Sequence, residues 1–326
     1  MGLLRTSLFV VLSGSLVWAR IAVGSDVPIA DVHMHAYEKT ADEAEWFGSR
    51  FEKNGVKWAG GVGNYSEHMA NKLGQGYIAA FGQDYFMGAY KKYGPEGLVD
   101  LKNPLIKKMF EEAKVLFEAQ KIKGFGEIHI DNETPGAARK IPLINPVTLK
   151  MLEMTEPVAG FVQFHAQYSD TLESDVLELS NRFPRSKIIL AHCVPGKNRD
   201  VIRLLTRIFN RTQNVYCETS GGNGPTHASY RKKYEKIFGS GNGRMYGVGG
   251  LDQWWRKLIL RFPDRVMVGT DPCCGRKERY DELVHELRTY FLPELPEDVR
   301  DKVAYKNALN IFGLPQLKSS TSANCA

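Results

Sequence analysis

Several short apolar runs of this 326-residue chain lead into side chains that bind metal ions or move protons. IADV leads into His33 and His35, two positions apart. FVQFH ends at His165, KIILAH at His192 and VMVGTD at Asp271, while GFGEIHI carries Glu127 and His129. If each run is a β-strand, side chains two apart share a side, so His33 and His35 lie on one face, and so do Glu127 and His129. Imidazoles and carboxylates brought together suit a divalent cation, Zn2+ above all, as one ion or two with a position left for water. Such an ion lowers the pKa of its water to about 7, which makes a nucleophile available near neutral pH.

Residues so far apart in sequence need a fold that gathers strand ends. Apolar stretches at Ile29–His33, Val56–Val62, Tyr77–Phe81, Gly124–Ile130, Gly160–His165, Lys187–His192, Asn214–Glu218 and Arg265–Gly269 predict eight strands. Amphipathic stretches separate most of them, at Pro104–Gln120, Leu172–Asn181, Asp200–Phe209, Tyr280–Leu292 and Pro296–Phe312. With no break in composition, this α/β rhythm predicts a single (β/α)8 TIM barrel over residues 25–318, which collects the C-terminal ends of its strands at one face. Two connections are long. Residues 221–260, after strand seven, are rich in glycine and carry Tyr230, Tyr234, Tyr246, Trp254 and Trp255, which makes them either a lid over the barrel mouth or a decorative loop. Residues 40–56 are polar and yield no element.

Composition excludes other classes. With 43% hydrophobic and 25% charged residues, the chain is neither disordered nor collagen-like nor a disulfide-stapled miniprotein. Residues 1–24 combine Arg5, an apolar run from Leu8 to Trp18 and small residues at Ala22–Gly24, which is the pattern of a cleaved signal peptide. The expected product is exported, secreted or periplasmic, with no membrane association after cleavage and a polar tail at residues 319–326. Without Arg5 and Arg20 the formal charge falls from +6 to +4, a dispersed excess that argues against a nucleic-acid partner. Glycosylation sequons stand at Asn64, Asn132 and Asn210. Of five cysteines, Cys193, Cys217, Cys273 and Cys274 fall near strand ends, either as buried thiols or with one bridge among them, and Cys325 is in the tail.

The order of these residues resembles the amidohydrolase superfamily: H-x-H after the first strand, His after the fifth and sixth, and Asp after the eighth. The ending Asn307–Leu314 is similar to the closing helix of its amidohydrolase-related branch, and the resemblance spans Ile29 to Pro315. It implies that His33, His35 and Asp271 hold one metal. His165 would complete that site or help hold a second, and His192 would bind the second metal or act on the reacting water and substrate. Many two-metal members bridge their ions with a carboxylated lysine late in strand four. Here Lys123 stands at that strand's beginning, and the matching end carries Glu127, either as a ligand or as a carboxylate supporting one.

The implied activity is hydrolysis of a small-molecule amide, ester or lactone, with Asp271 passing a proton from water to the leaving group and protonated His192 stabilising an oxyanion. A metal-dependent decarboxylase or hydratase of a small carboxylic acid is the alternative within the family. It would need a cation for the substrate, and Arg244 is either that cation or a solvated loop residue. A barrel glycosidase using Glu127 and Glu218 is a third reading, but it leaves the histidines unexplained. A barrel that binds without turnover is a fourth. His68, His129, His227 and His285 read as surface or packing residues, with His129 and His227 the best candidates for the substrate pocket. A homo-oligomer is compatible with all of these.

Overall fold

The structure is a computed structural model and describes residues 27–36, 40–132, 139–223, 244–273 and 276–316. The expected signal segment, the tail, Cys274, Cys325, His227, Tyr230 and Tyr234 lie outside the described residues.

All eight expected strands form. They are β1 (Ile29–Ala36), β2 (Val56–Gly63), β3 in two segments (Tyr77–Ile78 and Ala80–Gly82), β4 (Gly124–His129), β5 (Phe161–His165), β6 (Lys187–Leu190), β7 (Val215–Glu218) and β8 (Val266–Met267). Every paired neighbour is parallel, from β1–β2 round to β7–β8. The strands divide into two sheets that share β3: Tyr77–Ile78 pairs with β2 and Ala80–Gly82 with β4. At the opposite seam β1 and β8 form no ladder. There the Val32 N–H donates to the Val268 carbonyl at 3.2 Å and the Asp271 N–H to the His33 carbonyl at 2.8 Å. Buried Asp31 strengthens this seam, accepting from the Thr270 N–H (2.9 Å), the Thr270 hydroxyl (2.6 Å) and the Tyr280 hydroxyl (3.0 Å). The architecture is a (β/α)8 barrel whose final seam is made by side chains and single backbone bonds.

Helices cover the outside. In Asn198–Arg211, the buried Val201, Leu204, Leu205 and Ile208 recur at helical spacing against the sheet. Polar residues 40–56 hold an element the sequence reading passed over, the helix Ala41–Lys53. Thr40 caps it by accepting from the Glu43 N–H, and Ala44, Phe47 and Phe51 form a narrow buried stripe that the surrounding charges mask.

Inside the barrel, Ala30, Val32, Trp58, Ile78, Ala80, Phe161, Ile189 and Met267 pack on Ala308, Leu309, Ile311 and Phe312 of the last helix, Asn307–Phe312. That helix plugs the end where the strands begin. Lys123 belongs to this end, donating to the Phe312 and Gly313 carbonyls at 2.6 and 3.1 Å. The described part of the long loop is a hairpin, Tyr246–Gly247 with Gly250–Leu251, and the helix Gln253–Arg261. Met245, Tyr246 and Trp255 are buried in the core, so this part is packed structure, while residues 224–243 of the loop lie outside the described residues.

Candidate metal centre

Two bulges aim side chains into the open end of the barrel. Between Asp31 and Met34, β1 has one residue more than the facing stretch Ala59–Gly61 of β2. Between Phe125 and Ile128, β4 has one more than Val162–Phe164 of β5. An extra residue reverses which face the later side chains occupy. Ala30 and Val32 therefore fill the inner core, and beyond the bulge His33 and His35 turn inward. On β4, Phe125 and Ile128 both join the outer core, which leaves Glu127 and His129 facing in.

The remaining predicted residues arrive from turns. β6 stops at Leu190, short of the predicted His192, because His192, Cys193 and Val194 have φ of 56°, 45° and 64°. Such left-handed values are costly for residues other than glycine, most of all for a β-branched one, and persist only where the surroundings impose them. Two restraints do so here. The His192 N–H donates to Glu218 Oε1 at 2.7 Å, and a Cys193–Cys217 disulfide ties the turn to β7. Of the two alternatives left open for the cysteines, the bridge is the one present. Asp271, four residues beyond β8, also has a positive φ of 51°.

All six predicted residues converge. The donor atoms of His33, His35 and Glu127 lie within 4.8 Å of one another, as do those of His33, His192 and Asp271, and those of Glu127, His165 and His192. Cys273, which the sequence reading did not assign to the site, stands in the same relation to His35 and Asp271.

Three of the imidazoles have Nδ1 held from behind. His33 Nδ1 donates to Glu218 Oε1 (2.8 Å), His35 Nδ1 to Gln83 Oε1 (3.2 Å) and His192 Nδ1 to the Ser220 carbonyl (3.0 Å). Each Nε2 lone pair is thereby directed to the cluster, which is how protein groups orient metal-binding histidines. Glu127 stands at the middle. Its Oε1 is 2.5 Å from His165 Nδ1 and 3.1 Å from His192 Nε2, while its Oε2 is 3.5 Å from His33 Nε2 and 2.9 Å from His129 Nε2.

Electrostatics keep the carboxylates ionised. Burial pushes Glu127 up, but His129, His33 and His165 outweigh it and hold its pKa well below the ordinary value. Asp271 is likewise held low against burial by Arg276, which pairs with its Oδ2, and by His33 and His35. Burial opposes the charge on His33, yet Glu218, Glu127 and Asp271 raise its pKa well above the usual one. The residues fit a divalent cation. Besides this concentration of negative charge, the buried His33 Nε2, His165 Nε2 and Asp271 Oδ1 make no hydrogen bond, and the donors are the nitrogen and oxygen types that Zn2+ accepts.

Glu218 is a support and not a reacting group. It is fully buried, Oε1 is occupied by His33, His192 and Ser220, and Oε2 accepts the Ser220 N–H at 2.7 Å. The glycosidase reading thus loses its second carboxylate. Gly269 is needed beside it, since a Cβ there would lie 2.4 Å from Glu218 Oε2 and 2.7 Å from His33 Cβ. Arg244 is exposed and engages the fold through its carbonyl, which accepts from Asn198. Sequence reasoning missed Gln83, Gln163, Ser220, Arg139 and Arg276, whose polar types carry no pattern of their own.

Fold and site together define a TIM-barrel protein with a buried His/carboxylate cluster suited to divalent metal. Residues 142–314, more than half of the chain, match the family model described as Amidohydrolase, and the chain belongs to the amidohydrolase family. Among solved structures it is similar to a Pseudomonas putida protein assigned as a 2-pyrone-4,6-dicarboxylic acid hydrolase. That likeness has a TM-score of 0.54 and 12% identity, over 89% of this chain and 99% of the other. An amidohydrolase from Burkholderia multivorans with bound zinc has a TM-score of 0.48 and 13% identity, over 88% of this chain and 100% of the other. No curated protein matches.

Proposed function

We propose that the protein is a metal-dependent hydrolase of a small ester, amide or lactone. The observation that carries this reading is the position of Glu127, whose two oxygens face two groups of imidazoles. His33, His35, Glu127 and Asp271 would hold one ion, and Glu127, His165 and His192 a second. When bound, a divalent ion such as Zn2+ supplies Lewis acidity and an acidified water. Arg276 engages Oδ2 of Asp271, which leaves Oδ1 turned to the cluster as the proton acceptor. His192, held at Nδ1 by Ser220, presents Nε2 to the same space and assists at the substrate carbonyl.

The test is to assay esters, lactones and amides of small acids before and after chelation and after zinc is restored, with metal content measured by mass spectrometry. Activity should vanish and return with the metal. Full activity in metal-free protein would overturn the reading.

We also propose export, supported by the signal-like pattern of residues 1–24 and by a disulfide of the kind that oxidising compartments favour. N-terminal sequencing of the natural product should begin at Ser25, and an intact Met1 on intracellular protein would oppose this.

A further inference from the structure

One side chain at the edge of the cluster carries a chemistry that the imidazoles and carboxylates do not. Cys273 takes no part in the Cys193–Cys217 bridge. It stands two positions after Asp271, and Pro272 between them restricts the backbone. The segment is anchored at both ends. The Asp271 N–H donates to the His33 carbonyl at 2.8 Å, and the Cys273 carbonyl accepts the Arg276 N–H at 2.9 Å. Arg276 in turn pairs through its guanidinium with Asp271 Oδ2. The turn thus delivers a carboxylate and a sulfur to one place, where the donor atoms of Cys273, Asp271 and His35 lie within 4.8 Å of one another.

A second observation says what belongs between them. Asp271 is 6% exposed, and its Oδ1 is buried and makes no hydrogen bond. That oxygen lies 3.1 Å from His35 Nε2, while His35 gives its ring proton to Gln83 through Nδ1. Nε2 therefore offers a lone pair, and two lone pairs so close repel each other unless a cation joins them. A sulfur beside the same pair adds a donor of a different kind. Thiolate favours zinc-like ions, including Cd2+, whereas Mg2+ and Mn2+ favour oxygen ligands.

We propose that Cys273 is a thiolate ligand of the ion held by His35 and Asp271, and that it makes the site selective for zinc-like cations over magnesium and manganese. This rests on the metal-dependent reading and adds a ligand to it. On binding, the Sγ–metal bond replaces the S–H bond and the proton leaves to solvent.

The test uses the full protein, stripped of metal and reloaded with Co2+, whose bond to a thiolate gives a charge-transfer absorption that nitrogen and oxygen ligands do not. The wild type should show that band. Cys273→Ser should lose it with cobalt still bound, while Cys274→Ser and Cys325→Ser keep it. Cys273→Ser should also weaken Cd2+ binding by about tenfold or more and leave Mn2+ binding unchanged. If that variant does not fold, alkylation of the wild type decides. Cys273 is half-buried, and bound Zn2+ should slow its labelling by iodoacetamide, read by peptide mass spectrometry, by about tenfold or more. Cobalt bound without the band, a band that survives Cys273→Ser, equal losses of Cd2+ and Mn2+ affinity, labelling at one rate with and without zinc, or Cys273 found in a disulfide in the zinc-loaded protein would each overturn the proposal. Failure of the metal-dependent reading looks different: no ion would bind, or activity would survive chelation whatever Cys273 does.

Discussion

Oε1 of Glu218 lies 2.8 Å from Nδ1 of His33, and both side chains are fully buried. The contact fixes the tautomer of His33, since a carboxylate can only accept, and so directs Nε2 to the cluster. The same oxygen accepts the His192 N–H, so one carboxylate orients a residue of β1 and a residue of the turn after β6.

Glu218→Gln keeps the shape of this support and removes its charge. The variant should bind zinc about 10- to 100-fold more weakly, with turnover falling in step. Competition titration against a zinc-binding dye measures this directly. An unchanged affinity would mean that His33 is oriented by packing alone.

Asp271→Asn should separate chemistry from folding. The amide fills the same volume, but it cannot take a proton. Turnover should fall by about 10^2- to 10^4-fold, the range typical of a lost general base, while the melting temperature moves by only a few degrees. Wild-type turnover in the variant would remove Asp271 from the mechanism.

How far the sequence carries this site is clear from its residues. His33, His35, His165, His192, Asp271 and Glu127 were legible because each closes an apolar run, and the barrel gathers such ends whatever the side chains are. Even so, the bulges in β1 and β4 that turn His33 and Glu127 inward leave no mark in the alternation. Nor does the left-handed turn that ends β6 before His192. Glu218 was readable as a carboxylate at a strand end, whereas Gln163, whose amide lies 3.0 Å from His33 Nδ1, looked like any interior polar residue. Arg139 was invisible because its contact with Nδ1 of His129, ten residues away, is a property of three dimensions. The helix Ala41–Lys53 went unread because only its narrow buried stripe is apolar.

The Cys193–Cys217 bridge stands between two site residues, with His192 on one side and Glu218 on the other. A cross-link spanning 24 residues stabilises by about 3 kcal/mol in the chain-entropy account. Replacing both cysteines with alanine should lower stability by roughly that amount in urea unfolding. Activity should fall further than stability alone explains, because the turn that presents His192 loses one of its two restraints. A double variant as active as the wild type under native conditions would show that the Glu218 contact is sufficient.

Acid should act through His165. Burial outweighs the pull of Glu127 and lowers its pKa from 6.5 to about 4, while in the unfolded chain the ring titrates near its ordinary value. Between those two values the unfolded chain binds a proton that the folded one refuses. The stabilisation is therefore complete above pH 6.5 and is lost as pH falls through about 4. Its size is at most on the order of 3 kcal/mol. His33 and His192 work with the opposite sign: their pKa values are raised against burial, so their contribution is present at low pH and fades as pH rises. A wild-type profile mixes these effects, and the difference between wild type and His165→Gln, both metal-stripped, isolates the one in question. From pH 6.5 down to 4 the wild type should lose stability relative to the variant in urea unfolding. A flat difference across that window would mean that folding leaves the proton affinity of His165 unchanged.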